Sequence, residues 1–217
     1  MRTRGVTPHA VKPIRRSDLI KLLEKGPDNW PKDPTAAQLD KRLRDEILLK
    51  CLWVTGFRVS EALSLHRKNF AFALEREYDV ISNVINLKQK DPFAEKNILW
   101  IPKEDPFMKD LRIYVKQLPY PDAHLFNYRQ IIFGWEKQRD YKRHISRRNC
   151  GLICKQYHED LHPHLLRHSR ITELVNMYNI TDIIALQAYT SHSSIGALQG
   201  YIKTSPRLYA EKLKHAI

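Results

Sequence analysis

Apolar positions recur at helical spacing ahead of residue 55: Leu39, Leu43, Ile47 and Leu48 fall on one stripe. Thr35 is a preferred N-cap type, so a single long helix is predicted from Thr35 to about Val54. Thr55-Gly56 breaks it, and RVSEALSL starts a shorter helix at Arg58. Upstream, SDLIKLLEKG predicts a helix capped by Ser17 and ended by Gly26, and the Pro-rich PDNWPKDPT is loop. From Tyr78 to Pro102 the pattern changes. VISNVINLKQ and NILWIP are apolar and β-branched, separated by the turn-prone KDPFAEK, which predicts a hairpin or small antiparallel sheet. Helices resume over about 105–117, 130–137, 146–157, 164–178, 181–189, 193–202 and 206–215. The expected fold is mainly α with a small antiparallel β-sheet.

Charge changes the picture from fold to partner. The 217 residues carry 37 Lys and Arg against 24 Asp and Glu, a net charge of +13. Such an excess favours polyanions, nucleic acid first. An anionic membrane surface is the weaker reading, because no basic amphipathic stretch has a clean apolar stripe. No apolar run reaches the length of a membrane span, and MRTRGVTPHAVKPIRR lacks the apolar core of a secretory signal. Three cysteines do not make a disulfide framework and suit a reducing compartment. A cytoplasmic, DNA-associated protein is the expectation. Residues 1–16, with Pro8, Pro13 and five Arg or Lys, read as a basic arm or linker, and 17–217 as one domain. Six basic residues crowd one segment, Lys137, Arg139, Lys142, Arg143, Arg147 and Arg148, against the single acid Asp140. With the global excess of charge, phosphate contact is the stronger reading of that run.

Three short stretches hold residues suited to phosphate chemistry. In HPHLLRHSRITELV, His164 and Arg167 share a helical face. Arg presents a planar fork to phosphate oxygens, and His exchanges a proton near neutral pH. In TGFRVSEAL, Arg58 follows the helix break and Glu61 stands one turn on, placed to orient it. In SHSSIGALQGYIK, His192 and Tyr201 are nine residues apart. On one unbroken helix that is about 900° of rotation, opposite sides. A cap at Ser193 or Ser194 puts His192 ahead of the helix and lets the two side chains converge. Taken singly, each stretch is more often a surface ion pair or a packed tyrosine than a site. Cys150, Cys154 and His158 at i, i+4, i+8 raise a metal site, but a fourth ligand beyond His162 is wanting, so buried free cysteines are the better reading and no metal is expected.

In this order and spacing the stretches resemble the tyrosine recombinase/integrase family. The resemblance rests on TGFRVSEALSL (55–65), HPHLLRHS (162–169) and SHSSIGALQGYIK (191–203). It implies that family's catalytic-domain fold and a site-specific recombinase acting through a 3′-phosphotyrosyl intermediate, without metal or cofactor. Tyr201 would be the nucleophile, Arg58 and Arg167 the phosphate holders, His192 a further donor and His164 the proton acceptor. Glu61 would support Arg58. A hairpin lysine would protonate the leaving oxygen. Lys88, Lys90 and Lys96 all lie on or near the hairpin, and the family's position at the strand end favours Lys90. The implied partner is double-stranded DNA, with a homo-oligomer, a tetramer on synapsed sites, joined through the C-terminal helix 206–215. No separate N-terminal DNA-clamping domain precedes the arm in this reading. The alternatives are a catalytically silent DNA-binding regulator of the same fold and a relaxing topoisomerase of the same chemistry.

Overall fold

The computed structural model describes residues 12–72, 77–85, 98–129, 139–176 and 183–190. The chain divides into two units, residues 1–170 and 171–217.

The first unit is built around one helix. Helix α1 (Arg16–Lys25) is followed by α2 (Ala36–Thr55), which is capped by Thr35 as expected: the Thr35 hydroxyl accepts from the Gln38 N–H. From Ile47 to Thr55 every residue of α2 is buried except Lys50. A helix buried on nearly all sides is the centre of a core rather than a surface element. The apolar stripe is therefore only half a core face. Ile47 and Leu48 are buried, whereas Leu39 and Leu43 are exposed near the N-terminal end. Helix α3 (Val59–Leu63) follows directly, and α4 (Pro106–Lys116) packs along α2 through buried Phe107, Met108, Leu111, Tyr114 and Val115. Each of these side chains contributes roughly 1.5–3 kcal/mol on burial. Pro106 at the first position and the Asp105 carboxylate, which accepts from Phe107 N–H and Met108 N–H, start α4.

Strands β1 (Phe70–Ala71), β2 (Tyr78–Ile81) and β3 (Leu99–Pro102) form an antiparallel sheet in the order β1-β2-β3. The sequence predicts its β2–β3 half; β1 is too short to carry a period. Val80 pairs with Trp100 and Ile81 with Leu99. In β3, Leu99 and Ile101 point inward and Trp100 outward. The sheet is tied to α4 by buried Asp79, which accepts from Arg112 Nε at 2.8 Å.

A second, two-stranded ribbon was not legible in the pattern. Strands β4 (Asn127–Arg129) and β5 (Arg139–His144) pair antiparallel with an irregularity at Asn127–Tyr128. The charge of RDYKRH hides the strand, because neither apolar alternation nor a β-branched run marks it. Helix α5 (Arg147–Tyr157) begins at Ser146, whose hydroxyl accepts from Asn149 N–H. Helix α6 spans Pro163–Asn176 and α7 Ile183–Thr190. In the second unit, Ile171, Leu174 and Leu186 form a buried cluster, with Val175 and Tyr189 against it. The helices expected over 130–137, 193–202 and 206–215 lie outside the described residues.

The N-terminal boundary differs from expectation. Helix α1 starts at Arg16, one residue before Ser17, and Arg15 is its N-cap. Asp18 explains this: at the third helical position its carboxylate reaches back and accepts from the Arg15 N–H, which makes Arg15 and not Ser17 the N-cap. Among the described residues no helix is long and apolar enough to cross a membrane.

Candidate active site

The end of α2 builds the centre of the site. Thr55 Oγ1 donates to the Cys51 carbonyl at 2.7 Å and accepts from the Phe57 N–H at 3.1 Å. That hydroxyl carries the chain from helix to turn. Gly56 takes φ 60° and ψ 19°, left-handed values that favour glycine, and its N–H returns to the Leu52 carbonyl. The reversal places Arg58 as the N-cap of α3 and Glu61 in its first turn.

Glu61 is fully buried, and its two oxygens serve two donors of one residue. Oε2 accepts from the Arg58 backbone N–H at 2.8 Å, and Oε1 from Arg58 Nη1 at 3.0 Å. This is a capping box with an arginine in the capping position: the acid satisfies an orphan helix-start amide and steers a guanidinium together. Arg58 keeps 21% of its side chain exposed.

Arg167 reaches the same turn from α6. It is 4% exposed, and its Nη1 donates to the Gly56 carbonyl. Two arginines 109 positions apart in the sequence thus meet at the Thr55–Glu61 turn. The start of α6 is set by His162, whose Nδ1 accepts from the Leu165 N–H at 3.1 Å. His164 stands in the first turn of α6, exposed, one turn before Arg167. His168, one turn after His164, is held below the usual imidazole range by burial and by the neighbouring His164.

Two contacts had no signal in the sequence. The Ile14 N–H donates to Ser169 Oγ at 3.0 Å, and Arg16 pairs with Asp105 at 2.8 Å while lying 5.3 Å from the Phe107 ring centroid. The last residues of the basic arm are thus strapped to α6, two positions from Arg167, and to the cap of α4. The capping box could have been read from the Arg58–Glu61 spacing; the acceptor role of Gly56 could not, because every residue carries a carbonyl.

Of the remaining candidates, Lys142 and Arg143 lie exposed on β5, Arg147 and Arg148 lie exposed in the first turn of α5, and Arg139 is in β5. Cations at a helix start add to the positive end of the helix dipole instead of offsetting it. Lys90, with Lys88 and Lys96, and also Lys137, His192, Tyr201 and the 206–215 segment lie outside the described residues. Cys150 and Cys154 are both buried on α5, and a thiol–thiol hydrogen bond and burial push the Cys154 thiol far up. His158 is exposed at the helix end, its Nδ1 accepting from Asp160 N–H, so it does not join them.

Comparison with known proteins adds an independent line. The sequence profile of the phage integrase family matches residues 35–207. Tyrosine recombinase XerA of Pyrococcus horikoshii is 24% identical over 202 residues, covering 88% of this chain and 64% of its own length. The chain therefore spans just under two thirds of that relative. Among solved structures, the Tn1549 transposon integrase in complex with transposon right end DNA matches with a TM-score of 0.58 at 17% identity, over 95% of this chain and 66% of the other. The catalytic domain of bacteriophage HP1 integrase matches with a TM-score of 0.50 at 18% identity, over 93% of this chain and 92% of the other. These similarities establish the fold, and the profile match over 35–207 establishes the family: this chain belongs to the phage integrase family of tyrosine recombinases.

Proposed function

We propose that this chain carries the strand-cleaving and strand-joining chemistry of a site-specific DNA recombinase. The observation that carries the reading is the meeting of Arg58 and Arg167 at one buried turn, each guanidinium held by the protein. Preorganised cations of this kind stabilise charge that grows on a phosphate during displacement, usually the largest contribution to such catalysis.

In this reading Tyr201 Oη attacks the scissile phosphorus and the bond to the 5′-oxygen breaks, leaving a 3′-phosphotyrosyl ester. A tyrosine hydroxyl, with a pKa of about 10, needs both a proton acceptor and positive surroundings near neutral pH. His164 accepts the proton, and its exposure on α6 leaves it open to substrate. Arg58 and Arg167 hold the non-bridging oxygens, His192 adds a donor, and Lys90 protonates the departing oxygen. The ester conserves the bond energy, and attack by a 5′-hydroxyl reverses the step. DNA as partner is supported by the complexes of similar fold and by the exposed cations Lys142, Arg143, Arg147 and Arg148. A tetramer on two synapsed sites, joined by the 206–215 segment, completes the proposal.

A nicked suicide substrate tests it. Incubation should trap a covalent protein–DNA adduct that persists in EDTA. An adduct formed equally by Tyr201→Phe refutes the nucleophile.

A further inference from the structure

None of the residues assigned to strand transfer lines a pocket of about 330 Å³ bordered by Arg67, Lys68, Phe70, Phe72, Lys116 and Pro121. It lies where the start of β1 meets the C-terminal end of α4. Half of its lining residues are cations and two are aromatic. Phe70 and Phe72 are two positions apart, so their side chains leave the extended chain on one side. Their rings stack at 5.8 Å between centroids and 29° between planes. Lys116 Nζ lies 6.0 Å from the Phe72 centroid. The backbone beneath is pinned: Arg67 N–H donates to the Ala123 carbonyl at 3.0 Å and Lys68 N–H to the Pro121 carbonyl at 2.9 Å. Lys68 also pairs with exposed Asp122 at 2.7 Å, leaving the pocket with a positive balance.

The two chemistries constrain the occupant together. A purely apolar guest would strip water from three cations without replacing it. A bare anion would use the cations and leave the accessible part of the Phe72 ring wet. A planar aromatic ring joined to a phosphate satisfies both, and the volume, at the small end of ligand sites, suits one such unit. We propose that this pocket binds a single nucleotide, its base against Phe72 and its phosphate among Arg67, Lys68 and Lys116. Two sources share that chemistry: a free nucleotide, and one unpaired nucleotide of a DNA strand. A paired duplex offers phosphates but no free base face.

The test is equilibrium binding to the whole chain by fluorescence anisotropy. The probes are N-methylanthraniloyl-ATP, a fluorescein-labelled ten-nucleotide single strand and the matching duplex. Arg67→Gln, Lys116→Gln and Phe72→Ala are compared with the control Lys25→Gln, and melting curves confirm that each folds. At least one of the first two probes should bind saturably, with affinity falling about tenfold in each pocket variant and not in the control. Binding of the ATP probe assigns the free nucleotide; binding of the single strand alone assigns the strand. The proposal is overturned if neither probe saturates. It is overturned also if Phe72→Ala binds like the parent, or if the variants weaken duplex binding as much as single-strand binding, because either result reduces the pocket to a nonspecific cationic patch. Adduct formation by the parent on the nicked suicide substrate is scored separately, so failure here is separable from failure of the strand-transfer reading.

Discussion

Replacing Glu61 by Ala removes the group on which the arginine turn depends. The carboxylate is fully buried and receives two bonds from Arg58, one from the backbone and one from the guanidinium. Alanine leaves the Arg58 amide at the start of α3 without its acceptor and leaves a guanidinium beside a void. Hydrogen bonds to a charged group are each worth about 1.5–3 kcal/mol, and removing one partner of a buried pair costs about 3–5 kcal/mol. Because Arg58 retains partial contact with solvent, the lower end applies, about 3 kcal/mol. At roughly 2–4 °C per kcal/mol for a chain of this size, the melting temperature should fall by about 6–12 °C. Glu61→Gln keeps the shape and one acceptor and should lose about half as much. Urea melts of the three proteins give the free energies, and adduct formation below the melting transition gives the chemistry. If Arg58 holds the phosphate as proposed, adduct formation should fall further than stability accounts for, since a loosened guanidinium is no longer preorganised. An Ala variant within about 0.5 kcal/mol of the parent, the range of an ordinary surface change, refutes the reasoning.

Other outcomes follow from named groups. Burial holds His66 and His168 below the usual imidazole value of 6.5, so the unfolded chain binds more protons than the folded one as pH falls; stability should be full above that value and decline below it, and a urea midpoint that rises on acidification contradicts this. Gly56→Ala forces an L side chain into the left-handed region at φ 60° and should cost about 1–2 kcal/mol in urea melts. If Arg147 and Arg148 touch the DNA backbone, Arg147→Glu with Arg148→Glu should weaken duplex binding across unrelated sequences and lower the log–log salt slope by about one per lost contact, whereas an unchanged slope removes them from the interface.

Some of this protein was legible before any coordinates. The apolar period of α2, the cap at Thr35 and the stop at Gly56 are local features, and local sequence decides them because a helix satisfies its own backbone within a few residues. Ser17 is not the cap because Asp18 reaches back to the Arg15 N–H and starts the helix with Arg15 in that position. The ribbon β4–β5 escaped notice because a strand is completed by a partner elsewhere in the chain, and its charged residues carry no alternation. Leu39 and Leu43 share the stripe of Ile47 and Leu48, yet periodicity states only which face they lie on; how far along the helix neighbouring elements reach is a property of packing.

The candidate site divides along the same line. Residue types and spacings determined by themselves that Arg58 stands within one turn of Glu61 and His164 within one turn of Arg167, because helical geometry couples i to i+3. Only the tertiary structure decided that Arg167 crosses to the Gly56 carbonyl, that Glu61 is buried beneath Arg58, and that Ile14 fastens the arm to Ser169 beside Arg167. Those are contacts between segments more than a hundred residues apart, or burial imposed by everything packed around a residue. No local pattern encodes either, since the free energy that selects them is shared across the whole core.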